Sequence, residues 1–384
     1  MKEYKKMINK SILNIALVAI ILVMSVSFCW NALAEVENNN ELQPYLQAVT
    51  HNSIYILVET ESKDPVFAEY KKANDDKTLV KSSSYVETEQ RRSPSYVHRI
   101  QLDSLSSGTE YSYRAFNDKD TTRFYSFFTS ANKGKEFRFA VAGDMRSNPE
   151  IFANVCGDIK KFKPRFSIYT GDVCYNDKYY SWKKEFLIPE HMELIAEVPF
   201  FNAIGNHEGW EQNTRAFQQA PESDSDHEAY YSFDFGDMHV LILSSEHGVG
   251  RKSKQWKFAE EDLKNSNSKW KVVAFHIPAY CGGGHGENSN MKRMTTEIFE
   301  PNGVDFVFTG HSHFYQHNLV NGIHHFVLAG GGAPLYSHEK KDYTINMKKT
   351  HHFAICDVSP EKFQMTVYDL SGNVIEEILI TNKQ

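Results

Sequence analysis

Between Leu42 and Ser130, apolar and polar positions alternate in short runs; from Phe137 onward the runs are apolar on both parities. The first pattern covers residues 53–59, 67–70, 95–102, 111–116 and 122–128, separated by turn residues, and predicts half-buried strands in an all-β sandwich. The second covers residues 137–142, 166–170, 200–204, 271–275 and 304–309. Too little alternation remains there for a one-sided sheet, so both faces must be covered, as in α/β layers. Residues 148–161, 180–195 and 253–266 between them are helix-forming and charge-decorated, which predicts covering helices. Residues 230–235 and 239–244 flank Gly236-Asp237 as a hairpin pair. Residues 353–380 alternate again and are expected to close the second sheet. The polar stretch 131–135 reads as a boundary, giving a β-sandwich at 40–130 and a second domain at 136–384.

Upstream, Lys2, Lys5, Lys6 and Lys10 precede an apolar run from Ile12 to Trp30 that ends at Ala32-Leu33-Ala34. Such a basic start, apolar run and small-residue site predict a secretory signal peptide over residues 1–34, hence a secreted or periplasmic body. The alternative is an uncleaved membrane anchor, a reading that Asn14 weakens. Loss of residues 1–34 removes four Lys and one Glu and moves the formal charge from −7 to −10. That sign argues against a polyanion binder, so no nucleic-acid partner is expected. With 384 residues, 41% of them apolar and 13% aromatic, the chain can fill two cores, and global disorder is excluded. Cys29 leaves with the signal, and Cys156, Cys174, Cys281 and Cys356 permit two disulfides with three pairings open. The absence of any C-x-x-C argues against a structural zinc site.

Chemistry concentrates where apolar runs end. Five segments stand there: Gly143-Asp144, Gly171-Asp172-Val173-Cys174-Tyr175, Gly205-Asn206-His207-Glu208, Phe275-His276 and Gly310-His311-Ser312-His313. Each follows an expected strand, where open α/β sheets place their crevices, so distant positions converge on one rim. Oxygen donors with imidazoles suit Fe, Mn or Zn better than a thiolate-loving metal. Singly, each has an ordinary reading: a helix cap for Asp144, a packed aromatic for Tyr175, a polar core residue for His276. His311 and His313, two apart, share one face of an extended segment. The order and chemistry of the five together resemble the purple acid phosphatases, within the metallophosphoesterase (calcineurin-like) superfamily, over residues 40 to 360 of this chain.

The resemblance implies a dinuclear metal centre. Fe(III) would take Asp144, Asp172, Tyr175 and His313; Fe(II), Zn or Mn would take Asp172, Asn206, His276 and His311, with Asp172 shared. The usual superfamily pattern has a His two residues after the first Asp. Arg146 stands there instead, and Tyr175 would supply the missing ligand as a tyrosinate, as in the purple acid phosphatases. His207 falls beside the metals as a candidate general acid or phosphoryl-oxygen contact, with support of Asp172 as its alternative role. His285, in Cys281-Gly282-Gly283-Gly284-His285-Gly286, falls in the loop that carries substrate-side histidines, although its glycines equally suit a lid. Glu208 is read as structural. The last segment continues Phe314-Tyr315-Gln316-His317 rather than the family's Tyr-Glu-Arg, a departure at the substrate rim. Pro44-Tyr45-Leu46-Gln47, the 98–102 run and the 108–114 run resemble a fibronectin type III-like domain. The implied fold is therefore an N-terminal all-β sandwich followed by a four-layer α/β metallophosphoesterase domain, two packed mixed sheets flanked by helices.

The implied function is a secreted acid phosphatase that cleaves small phosphate monoesters by metal-bound hydroxide attack, with His207 or His285 protonating the leaving alcohol. A phosphodiesterase or nucleotide phosphatase could use the same centre. A secreted binding or adhesion protein would have a degenerate site, whereas all seven ligand positions are filled here. His324-His325 and His351-His352 read as strand-end or surface residues. Gly330-Gly331-Gly332 lacks the Lys-Ser/Thr of a nucleotide-binding loop.

Overall fold

Strand Phe137–Ala142 shows why the apolar runs are continuous. Phe139 and Val141 enter one core while Ala140 and Ala142 enter another, and only Arg138, near its start, reaches solvent. The computed structural model describes residues 42–89, 94–222 and 229–381, and every count below is made among them; the expected signal segment lies outside these residues. Phe137–Ala142 runs parallel to Ser167–Tyr169, which runs parallel to Phe200–Asn202. These three sit inside a ten-stranded sheet ordered Val374–Thr381, Lys362–Asp369, His352–Val358, Phe137–Ala142, Ser167–Tyr169, Phe200–Asn202, Pro44–Gln47, Ile54–Thr60, Tyr96–Leu102, Ser84–Glu87. The C-terminal strands thus extend this first sheet, by antiparallel pairing of His352–Val358 with Phe137–Ala142, and do not close the second one as expected.

The second sheet has seven strands, ordered Tyr231–Phe235, Met238–Ile242, Trp270–Ala274, Phe306–Thr309, Ile323–Leu328, Tyr315–Val320, Thr344–Lys348. The two sheets share one core, in which Val141, Ile168 and Phe201 join Val240, Ala274 and Phe308. Helices Pro149–Lys161 and Pro189–Ile195 cover the first sheet through Phe152, Ile159 and Leu194. Helices Lys254–Asn265 and Ser289–Met294 cover the second through Trp256, Leu263 and Met291. The result is the four-layer arrangement expected. The helix expected at 180–195 is broken into Tyr179–Ser181, a π-helical turn Trp182–Phe186 and Pro189–Ile195. Pro189 forces Ile188 into an extended conformation (ψ 157°), and a helix cannot run through it.

Residues 42–130 are all-β, in two sheets. Leu79–Ser82, Phe67–Lys72, Glu110–Phe116 and Tyr125–Phe128 form a four-stranded sheet, while the other strands continue the ten-stranded one. Pro44–Gln47 lies parallel to Phe200–Asn202, with Gln47 opposite Phe200. Residues 131–135, where the boundary is expected, join Tyr125–Phe128 of the four-stranded sheet to Phe137–Ala142 of the ten-stranded one. Cys156, Cys174, Cys281 and Cys356 are buried free thiols, so the two disulfides their number permits do not form. No helix among the described residues is long and apolar enough to cross a membrane.

Candidate metal centre

Three parallel strands of the first sheet and two of the second end at the same rim, and the five segments follow them. Asp144 leaves Phe137–Ala142, Asp172 leaves Ser167–Tyr169, Asn206 leaves Phe200–Asn202, His276 leaves Trp270–Ala274, and His311 and His313 leave Phe306–Thr309. Three of these residues hold left-handed backbone: Asp144 (φ 58°), Asp172 (φ 53°) and His311 (φ 69°). Non-glycine residues rarely adopt it, at a cost on the order of 1–3 kcal/mol each, and it persists where the surroundings fix it. Here backbone hydrogen bonds do so: Asp144 N–H donates to the Gly171 carbonyl at 2.9 Å and Ala333 N–H to that of Asp144 at 2.9 Å.

Two donor groups result, Asp172–His276–His311 and Asp144–Asp172–His313, with Asp172 common to both. In the first, His276 Nε2 lies 3.2 Å from Asp172 Oδ1, 3.2 Å from Asn206 Oδ1 and 3.2 Å from His311 Nδ1. In the second, His313 Nε2 lies 3.3 Å from Asp144 Oδ1. His276 Nδ1–H donates to the Thr170 carbonyl at 2.8 Å and His313 Nδ1–H to the Pro334 carbonyl at 2.7 Å, which leaves both Nε2 atoms for the centre. Glycines make room for this density. A Cβ on Gly171 (φ +90°) would sit 2.7 Å from His276 Nδ1, and one on Gly205 would overlap the Asp172 carboxylate.

Charge is unbalanced by burial. Burial would raise Asp172, yet the His276 and His207 imidazoles hold it well below the usual carboxylate range. Burial would lower His276, yet the Asp172 carboxylate raises it to about 10. Burial, then the charge on His276, drops His311 to about 3, keeping it a neutral donor. The fit to a metal rests on the donor set: hard carboxylate and amide oxygens with imidazole nitrogens suit Fe, Zn or Mn.

Two residues depart from the expected set. Tyr175 is 54% exposed, its ring lies against that of His207 (centroids 5.3 Å), and its hydroxyl makes no hydrogen bond among the described residues. The structure thus does not bring the phenol to Asp144 and His313. Arg146 is there instead, 7% exposed. Its Nε donates to Asp172 Oδ2 at 3.2 Å, and its Nη2 lies 3.4 Å from His313 Nε2. Sequence reasoning registered Arg146 only as an absent histidine.

The remaining candidates line the rim. His207 N–H donates to Asp172 Oδ1 at 3.1 Å, and its Nδ1–H donates to the Tyr175 carbonyl at 2.7 Å. Its Nε2 stands 3.8 Å from Asp172 Oδ2, and the side chain is 25% exposed. His285 is exposed, with its ring 4.7 Å from that of His311 and its Nε2 3.3 Å from the Tyr336 hydroxyl. Tyr336, which no motif marks, stacks on His313 at 4.1 Å. Glu208 is buried beneath the loop, accepts from Gly205 N–H at 2.9 Å, and is pushed up to about 8 by burial and then by Asp172. His325 and His352 are buried rather than at the surface, and His324 bonds His317 at 2.9 Å, all apart from the two donor groups.

Residues 137–315 match the calcineurin-like phosphoesterase family. The chain is 26% identical over 253 residues to acid phosphatase type 7 of Mus musculus, covering 58% of this chain and 56% of that protein. It is 24% identical over 275 residues to the Fe(3+)-Zn(2+) purple acid phosphatase 12 of Arabidopsis thaliana, covering 63% and 58%. These matches span just over half the length of each relative. In fold the chain resembles the solved structure of PhoD, with a TM-score of 0.65 and 12% identity over 90% of this chain and 94% of that one.

Proposed function

We propose that this chain, which carries a calcineurin-like phosphoesterase domain at residues 137–315, is a dinuclear metal-dependent acid phosphatase acting on small phosphate monoesters. The observation that carries this reading is the sharing of one buried carboxylate, Asp172, by two donor groups. Asp172, Asn206, His276 and His311 would hold Fe(II), Zn or Mn, and Asp144, Asp172 and His313, with Tyr175 if it turns inward, would hold Fe(III). A relative named as an Fe(3+)-Zn(2+) enzyme supports that pair. When bound, two such ions would polarise the ester and make a water nucleophilic at acid pH.

The chain's own residues then do the rest. With Nδ1–H held by the Tyr175 carbonyl, His207 turns Nε2 toward the centre, where it can deliver a proton to the departing alkoxide. His285 faces the same space from the His311 side and contacts the phosphate. His207 and His285 are both solvent-accessible, so the rim is open to a small ester. Residues 1–34 act as a cleaved export signal in this reading, and the β-rich segment is structural.

The test is metal content of the purified protein by mass spectrometry, with its visible spectrum and p-nitrophenyl phosphate hydrolysis across pH. Two ions including iron, with turnover on the acid side, are expected. A protein that binds no metal and hydrolyses nothing overturns the reading; two ions with hydrolysis of diesters only moves the substrate class to phosphodiesters.

A further inference from the structure

Asp172 divides its two oxygens. Oδ1 faces His276 at 3.2 Å and the His207 backbone N–H at 3.1 Å; Oδ2 faces the Arg146 Nε at 3.2 Å. One donor group therefore meets other ligands and the other meets a cation that belongs to the chain. We propose that the Arg146 guanidinium competes with a metal ion for the Asp144–Asp172–His313 position. The two positions then load unequally, the one at Asp172, Asn206, His276 and His311 first. This rests on the dinuclear reading above and specifies its order of assembly.

Four observations converge on it. The guanidinium is buried, and it reaches both Asp172 and His313, two of the three donors of that position. For an ion to reach both of those donors, the guanidinium has to swing out of the position it fills. Its backbone is set for the inward pose. Arg146 N–H bonds the Asp172 carbonyl at 3.4 Å, and Ser147 follows in left-handed conformation (φ 77°) with its N–H on Glu185 Oε2 at 2.8 Å. Finally, Tyr175 is turned outward, so the fourth donor is missing while the arginine is in. At the other position, no Lys or Arg hydrogen-bonds Asn206, His276 or His311 among the described residues.

The experiment strips the full-length protein of metal and titrates it with Zn2+ by calorimetry, counting ions retained after gel filtration. Wild type is expected to bind one equivalent tightly and a second roughly 10–100-fold more weakly, the range seen when partners of metal ligands change. Arg146→Ala is expected to bring the second equivalent close to the first. Arg146→Gln, similar in volume but uncharged, gives the same readout if the alanine variant fails to fold by circular dichroism. Two equal tight sites in wild type, or a second site unmoved in folded variants, overturns the competition and leaves the dinuclear reading standing. No Zn2+ bound by wild type or variant overturns both.

Discussion

His239, on strand Met238–Ile242, offers a direct electrostatic test of how the second sheet holds its helix. Its Nδ1 lies 2.8 Å from Asp234 Oδ1 and its Nε2 2.7 Å from Asp262 Oδ2. Only the imidazolium can donate to both. Burial would lower its pKa, but the hydrogen bonds to Asp234 and then Asp262 outweigh this and raise it from 6.5 to about 9. A folded value above the unfolded one means the stabilisation is complete below pH 6.5 and disappears as pH climbs through 9. Raising the value from 6.5 to about 9 corresponds to about 3 kcal/mol of stability. Asp234 is 64% exposed, so its part is screened, and about 2 kcal/mol is the safer expectation. Asp262 is only 14% exposed and sits on helix Lys254–Asn265, so that helix is what loosens. Urea unfolding of wild type and His239→Gln at several pH values between about 6 and 10 measures it, the variant removing the charge and keeping the volume. The stability difference between the two proteins should shrink by about 2 kcal/mol across that interval. A difference that stays constant with pH would refute the clamp. On the acid side the pair is intact, since His239 holds Asp234 below the ordinary carboxylate value.

Other outcomes follow from the centre. Asp172→Asn removes the charge shared by both donor groups and should abolish retention of both ions while circular dichroism stays native, and a variant that still carries two ions would sink the shared-carboxylate assignment. Gly205→Ala drives a Cβ onto both the backbone N and the carboxylate of Asp172, so the loop has to shift, and metal retention and thermal stability should both fall; unchanged loading and stability would mean the loop moves freely. His207→Ala should lower turnover of p-nitrophenyl phosphate by roughly 10²–10⁴-fold with metal content intact, and full activity would remove it from the chemistry.

The parts readable in sequence were those written in local pattern. Burial on both faces leaves Phe137–Ala142 apolar at every position but Arg138, so its bounds show directly, while Leu79–Ser82 and Ser84–Glu87, largely exposed, give no such signal. Asp144, Asp172, Asn206, His276, His311 and His313 could be picked out because each follows such a strand. Which way Arg146 and Tyr175 point could not, because their segments carry left-handed residues, Asp144 and Ser147 beside Arg146 and Asp172 ahead of Tyr175, that non-glycine residues do not announce. Tyr336 belongs to no motif and reaches the centre from a distant loop, through the stack on His313 and the contact of its hydroxyl with His285. Nor does anything local in Pro44–Gln47 say that its neighbour is Phe200–Asn202.

That last pairing imposes a wait on the nascent chain. Gln47 leaves the ribosome well before its partner Phe200 exists, and at about 5–20 residues per second the delay is roughly 8–30 s. Until then the early strands present an unpaired edge to every other chain nearby, and Pro44, lacking an N–H, blunts only its first position. Released fragments ending before Phe200 should therefore stay protease-sensitive across residues 44–102 and clump, while fragments extending well past it should not. Equal sensitivity of the two sets would show that the early strands find their shape unaided.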